Sequence, residues 1–206
     1  MAKIDYKKDF PEMFKAPTDK PVEVKIPKMN YVMVTGKGSP DSKDFQHAVE
    51  ALYGVTFTIK FMPKKGVEIS GYQEYSVPPL SGLWWMGDNT SFDMHKRDEW
   101  EWTAMIMQPH FVTEKLVDQA KEMLKKKKDN PMIDKVEFKP FEEGDAVQMM
   151  HVGPYSNEGE TIQKIFDYIH ENGYKLSGKH HEIYLGDPRR SAPEKLKTII
   201  RHPYTK

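Results

Sequence analysis

The sequence predicts an α+β fold: two βαββ repeats related by a pseudo-twofold axis, with helices on one face of the sheet and a ligand groove on the other. Three observations predict it. Runs of strand character recur along the chain, and two helical stretches with a single apolar face sit at matching places between them. The halves also share local spelling, with Leu83-Trp-Trp-Met-Gly-Asp set over Glu182-Ile-Tyr-Leu-Gly-Asp. Internal repetition is the strongest architectural signal in a single sequence.

Residues 1–20 are polar, broken by Pro11 and Pro17, and too short for a domain. They read as an N-terminal extension whose Phe10, Met13 and Phe14 can dock onto the body. A single domain then occupies 21–206: repeat one about 21–110, a linking helix about 113–128, and repeat two about 134–206. Val22–Ile26 alternates with period two, and Tyr31–Thr35 is rich in branched and aromatic residues, so both read as strands. From Asp44 to about Tyr53, Phe45, Ala48, Val49, Leu52 and Tyr53 fall on one helical face, with Asp41 or Ser42 as cap. Leu83–Met86 and Trp100–Met107 are apolar runs, the second stopped by Pro109.

Thr113 caps the linking helix, whose lysine run 125–128 suits the negative end of the helix dipole. In the second half, Lys135–Phe138 and Ala146–His151 are strands, and the latter breaks at Gly153-Pro154. Glu158 to about Glu171 is a helix with Ile162, Ile165, Phe166 and Ile169 on one face. His181–Leu185 is a strand, and Leu196–Arg201 is the last one, stopped by Pro203.

The chain has 206 residues, 31 Lys+Arg, 31 Asp+Glu and no cysteine. Without cysteine there is no disulfide, thiolate chemistry or thiolate-bound metal. Balanced charge argues against domain-wide attraction to nucleic acid. No stretch approaches the ~20 apolar residues of a membrane helix, so a soluble cytoplasmic protein with no membrane or direct nucleic-acid partner is expected. The eight histidines show no metal-ligand spacing, and there is neither a phosphate loop nor a Gly-x-Ser-x-Gly elbow. No metal or cofactor is expected.

Aromatic residues make up 12% of the chain, nearly a third of an apolar share of 38%. Such rings fill cores, and they also line pockets for flat apolar ligands. Strand alternation sets Glu182 and Tyr184 on one face and Ile183 and Leu185 on the other. The aliphatic pair should meet the helices, leaving Glu182 and Tyr184 on the groove side with Leu83 and Trp85 of the first half. A solvated strand residue is the competing reading of Glu182. Trp100 and Trp102 share a face that is either core or groove. Tyr155 follows the Gly153-Pro154 break at a strand end, Tyr72 sits in a loop able to form a flap, and His151 is a candidate polar partner.

His181-Glu-Ile-Tyr-Leu-Gly-Asp-Pro-Arg-Arg, followed by Ala192-Pro-Glu-Lys-Leu-Lys-Thr-Ile-Ile-Arg-His-Pro, resembles the C-terminal signature of the GyrI-like small-molecule-binding domain family. The resemblance runs from about residue 20 to the end. It implies a SOUL-like fold of paired βαββ units and a glutamate, here Glu182, at the centre of an aromatic pocket for lipophilic cations. It is similar to a stand-alone subgroup that hydrolyses cyclopropane-bearing genotoxins. There Glu182 would activate a water, Tyr184 would hydrogen-bond it, and Leu83, Trp85, Trp100, Trp102, Tyr155, Tyr72 and His151 would surround the ligand. The alternatives are a non-catalytic multidrug-binding protein and a gyrase-inhibitor-like partner binder.

Overall fold

The computed structural model describes residues 3–87 and 96–206. Two short helices open it, α1 (Tyr6–Asp9) and α2 (Pro11–Phe14). The first half follows with β1 (Val22–Ile26), β2 (Met29–Lys37), α3 (Lys43–Phe61), β3 (Leu80–Trp85) and β4 (Glu101–Met107). Helix α4 (Glu114–Lys125) links the halves. The second half is β5 (Glu137–Phe141), β6 (Gly144–Val152), α5 (Gly159–Glu171), β7 (Lys175–Leu176), β8 (His180–Tyr184) and β9 (Lys197–Thr205).

The described strands form one antiparallel sheet in the order β1-β6-β9-β8-β3-β4-β2-β5, with β7 added beside β9. Each half gives its first strand to the other: β1 pairs with β6, and β5 pairs with β2. The halves meet where β3 pairs with β8, so β8 lies near the middle of the sheet.

Both main helices cover the same face. Helix α3 buries Ala48, Leu52 and Val55 in a cluster with Val32, Val34, Trp84, Trp102, Ala104 and Ile106. Helix α5 buries Ile162, Ile165 and Ile169 with Val147, Met149 and Ile200. Each fully buried aliphatic side chain contributes roughly 1.5–3 kcal/mol, so these stripes, rather than local propensity, hold the helices to the sheet. Ser42 caps α3 by accepting from the Phe45 amide at 3.2 Å, and Thr113 caps α4 in the same way. Helix α3 runs beyond the expected Tyr53 because Val55, Thr56 and Ile59 extend its buried face. Strand β9 runs through Pro203. Its pairing with β8 has ended at Arg201, so no bond to that neighbour is lost by the missing N–H.

The opposite face is covered by the N-terminal segment. Tyr6, Met13 and Phe14 pack on Leu83, Trp85, Met105, Ile183 and Ile199. Backbone bonds tie the segment down, from Ile4 to Glu74 and from Met150 to Pro17, both 2.8 Å. A buried polar clamp does the rest. Arg201, 1% exposed, donates to Met13 O at 2.7 Å, to Gln148 Oε1 at 2.8 and 2.9 Å, and to Glu143 Oε2 at 3.0 Å. Gln148 Nε2 reaches Glu12 O at 2.8 Å, and His181 Nδ1 lies 2.9 Å from Glu143 Oε1. Burial alone would raise the Glu143 carboxyl, but His181 and Arg201 outweigh it and hold it down to about 2.

A carboxyl held below its ordinary 4.5 adds stability above that value and loses it as pH falls towards 2. Acid unfolding followed by circular dichroism should therefore steepen across that window in the wild type and flatten in Glu143→Gln. Arg201→Ala removes one partner of a buried ion pair, so a loss of about 3–5 kcal/mol is expected in chemical denaturation. The segment around Met13–Lys15 should then become a site of limited proteolysis.

Candidate functional site

Strand β8 puts His180, Glu182 and Tyr184 on one face, as alternation requires. The register decides which face. Glu182 lies opposite Gly82 on one side and Ile200 on the other, and Gly82 lies opposite Ala104. Ala104 belongs to the core under α3, and Ile200 to the core under α5. Glu182 therefore points to the helix-bearing face, between the two helices. The expected assignment of faces is reversed: Ile183 meets the N-terminal segment, and the carboxylate shares the helical side.

Glu182 is 9% exposed and hydrogen-bonded on both oxygens. The Tyr184 hydroxyl donates to Oε2 at 2.8 Å. His180 Nε2 lies 3.1 Å from Oε1, and because a carboxylate only accepts, that nitrogen carries the proton. Trp84 Nε1 donates to the Tyr184 oxygen at 3.0 Å, completing a chain from indole to phenol to carboxylate. Burial, and then the Glu182 charge, push the Tyr184 hydroxyl well above its ordinary value, so it stays a donor.

Rings wall the site. Tyr155 stands edge-on to Tyr184 at 5.8 Å, and burial with the nearby carboxylates pushes its hydroxyl up to about 12. Phe45 and Trp100 pack on Trp84 at 5.1 and 5.6 Å. Gly82 makes room for this arrangement. A Cβ there would lie 2.7 Å from Trp84 Nε1 and 3.1 Å from the Tyr184 hydroxyl.

A second carboxyl completes the site. Gly153, at φ +139°, turns the chain after β6, and a 3-10 turn at Tyr155–Asn157 leads to Glu158 at the N-cap of α5. His151 fastens this turn. Its Nε2 lies 3.1 Å from Pro154 O and its Nδ1 3.1 Å from Thr161 Oγ1. Glu158 is 2% exposed, and its carboxyl lies beside Glu182 and Thr198. Burial first, and the Glu182 charge second, push it up to about 10. Neither Glu158 Oε1 nor Thr198 Oγ1 completes a hydrogen bond of good geometry. Two unsatisfied buried oxygens beside a carboxylate are places for a ligand's polar group or a water.

Among the expected residues, Glu182, Tyr184, Tyr155 and Trp100 come together. Trp102 is on the same side but fully buried against Phe45 and over Gly36, as core. Leu83 and Trp85 lie on the face away from the helices, as expected, but Glu182 and Tyr184 do not share it with them, and Trp85 lies under Lys179 Nζ at 3.1 Å. Trp84, not Trp85, is the indole that reaches Tyr184. Aligning the halves on their shared Gly-Asp sets Trp85 over Tyr184, but the two side chains lie on opposite faces of the sheet. His151 holds the backbone turn with both ring nitrogens. Tyr72 donates to Lys60 O at 3.2 Å, fifteen residues beyond Phe45 on α3, about 22 Å along the helix axis. Glu158, His180 and Trp84 escaped the sequence reading. The Gly-Pro break before α5 was the one signal that pointed towards Glu158. Asp88, part of the shared spelling, lies outside the described residues. Among those described, no cluster of His, Asp or Glu is arranged to hold a metal, and no helix is long and apolar enough to cross a membrane.

A family model described as the GyrI-like small molecule binding domain matches residues 19–204. A hydrolase from Listeria innocua is 42% identical with a TM-score of 0.88, over 98% of this chain and 100% of that one. An uncharacterized conserved protein from Listeria innocua is 44% identical with a TM-score of 0.91, over the same shares. The C-terminal domain of EcmrR, 12% identical over 91% of this chain and 98% of that one, has a TM-score of 0.59 and shares the fold. No curated protein matches the chain.

Gly82→Ala tests the packing at the centre of the site. The added methyl displaces the Trp84 ring or the Tyr184 hydroxyl, at a cost of about 1–3 kcal/mol. Near-ultraviolet circular dichroism should change in the tryptophan region, and affinity for an aromatic ligand should fall about tenfold or more.

Proposed function

The chain belongs to the GyrI-like small-molecule-binding family, and on that premise we propose that it binds flat, lipophilic, cationic or electrophilic molecules at Glu182 and hydrolyses those bearing a strained cyclopropane. The observation that carries this reading is the Glu182 carboxylate, buried among rings and held by Tyr184 and His180. A buried carboxylate among apolar groups favours a ligand that brings positive charge or a hydrogen-bond donor. The description of a similar Listeria protein as a hydrolase supports the catalytic part.

In the hydrolytic step Glu182 takes a proton from a water held by Tyr184. The water oxygen bonds to a ring carbon, and one ring carbon–carbon bond breaks. Its electron pair moves to the electron-withdrawing group that activates the ring, and a proton from solvent neutralises it there. Ring strain supplies the driving force. Trp84, Trp100 and Tyr155 hold the flat skeleton, so positioning adds to base catalysis.

Incubation with an activated cyclopropane should give the ring-opened alcohol by mass spectrometry. Glu182→Gln should keep the fold and lower turnover roughly 10²–10⁴-fold, the range typical for loss of a general base. Wild-type turnover in that variant contradicts the assignment. Tight binding without product in the wild type makes the protein a binding module.

A further inference from the structure

Glu158 is the buried group that the step above leaves unused. It is a carboxyl with almost no exposure, placed beside another carboxyl, at the start of a helix whose amides it does not cap. A carboxylate at an N-cap ordinarily accepts from the free amides of the first turn. The Glu158 side chain makes no such bond and turns instead to Glu182 and Thr198.

We propose that Glu158 is the proton-holding half of a carboxylic acid–carboxylate pair, and that as a neutral acid it donates to Glu182 and keeps that carboxylate ionised and aimed into the aromatic box. This rests on the reading of Glu182 as the charged centre of the site. Glu158 is thus a positioning residue, acting on the ligand through Glu182.

The asymmetry of the two environments decides which partner holds the proton. Two adjacent buried carboxyls do not both ionise, because like charge and desolvation oppose the second ionisation. Glu182 is met by the Tyr184 hydroxyl and His180 Nε2, both donors. Glu158 has the Thr198 hydroxyl beside it, but its Oε1 completes no hydrogen bond of good geometry. Among the described residues, the groups facing the pair are His180 and Tyr184 on β8, Thr198 on β9, Tyr155 on the turn and Trp84 on β3, with Asp187 bearing on Tyr155 from the loop after β8. His202 on β9 is held down to about 4 by burial and by His180, so it adds no charge at neutral pH. No lysine or arginine is among these partners. The two carboxyls therefore share one negative charge, with the His180 ring 3.1 Å away on the protein side and the aromatic rings on the ligand side.

Folding then takes up a proton. Glu158 is protonated in the native state at a pH where an ordinary Glu is ionised, so wild-type stability declines as pH rises from about 4.5 towards 10. Glu158→Gln, a neutral stand-in for the acid, should remove that slope.

The direct test is carbon-13 NMR of protein labelled at the Glu side-chain carboxyl carbons. At pH 7 the wild type should show one Glu in the acid form. That signal should vanish in Glu158→Gln and persist in Glu182→Gln, since burial is the larger cause of the shift. A spectrum with every Glu ionised overturns the pair, as does a signal lost in Glu182→Gln and kept in Glu158→Gln. The positioning role is read from the acid limb of binding of N-methylacridinium, a flat cation of fixed charge. The limb should stay in place in Glu158→Gln and move up by about one pH unit in Glu158→Leu, which offers Glu182 no donor. Coincident limbs in all three proteins overturn the role. These readouts need no turnover. A protein with the acid signal and no hydrolysis loses the catalytic reading and keeps the pair, whereas hydrolysis without the signal does the reverse.

Discussion

A carboxylate taken out of water must be met by donors, and Glu182 is taken nearly all the way out. The rest of the site follows from that constraint. Strand alternation puts Tyr184 and His180 on the same face, two residues to either side, so two donors come from the strand itself. Trp84 on the neighbouring strand then orients the phenol. Gly82, directly opposite Glu182, keeps clear the space that these side chains share. Tyr155, Phe45 and Trp100 add ring surface around this chain, and Glu158 and Thr198 adjoin the carboxylate. A ligand with one positive charge, or a polarised water, completes what the protein leaves incomplete.

The same strands build a second polar cluster of opposite purpose. His181 and Arg201 are cross-strand neighbours, one residue along from Glu182 and Ile200, so they face the other side of the sheet. There they neutralise Glu143 and grip the backbone of residues 12–15. Arg201 and Glu143 pair with one another beneath the N-terminal segment, and His181 Nε2 is left buried without a hydrogen bond. The Glu182–Glu158 cluster is left acidic and short of donors. One face spends its charges on holding a segment of chain, and the other keeps one for a ligand.

Much of this was legible in the sequence. Period-two alternation correctly put Glu182 and Tyr184 on one face, and the order of strands and helices anticipated a sheet with both main helices on one side. The side of the sheet was not legible. Alternation reveals a solvated face only when one face is solvated, and here both are covered, one by α3 and α5 and the other by residues 4–16. Ile183 is apolar because it meets Met13 and Phe14, not because it meets a helix. The pairing of Trp85 with Tyr184 failed for a related reason. The shared Gly-Asp spelling sets Trp85 over Tyr184, yet Trp85 packs with the N-terminal segment while Tyr184 bonds Trp84 on the helical side. Glu158 was hidden because an acidic residue at a helix start reads as a cap, and only the fold shows its side chain leaving the helix for Glu182.

The central claim is that Glu182 is the charge around which ligand recognition is organised. A crystal structure with a bound aromatic monocation such as ethidium tests it most directly. The charged ring should lie against Trp84 and Tyr155, with its cationic nitrogen about 3–5 Å from the Glu182 carboxylate and the Tyr184 bond retained. The alternative place is the surface depression lined by Pro63, Val67 and Tyr72 beside the C-terminal end of α3. A cation seated there, with the rings around Glu182 undisturbed, contradicts the account.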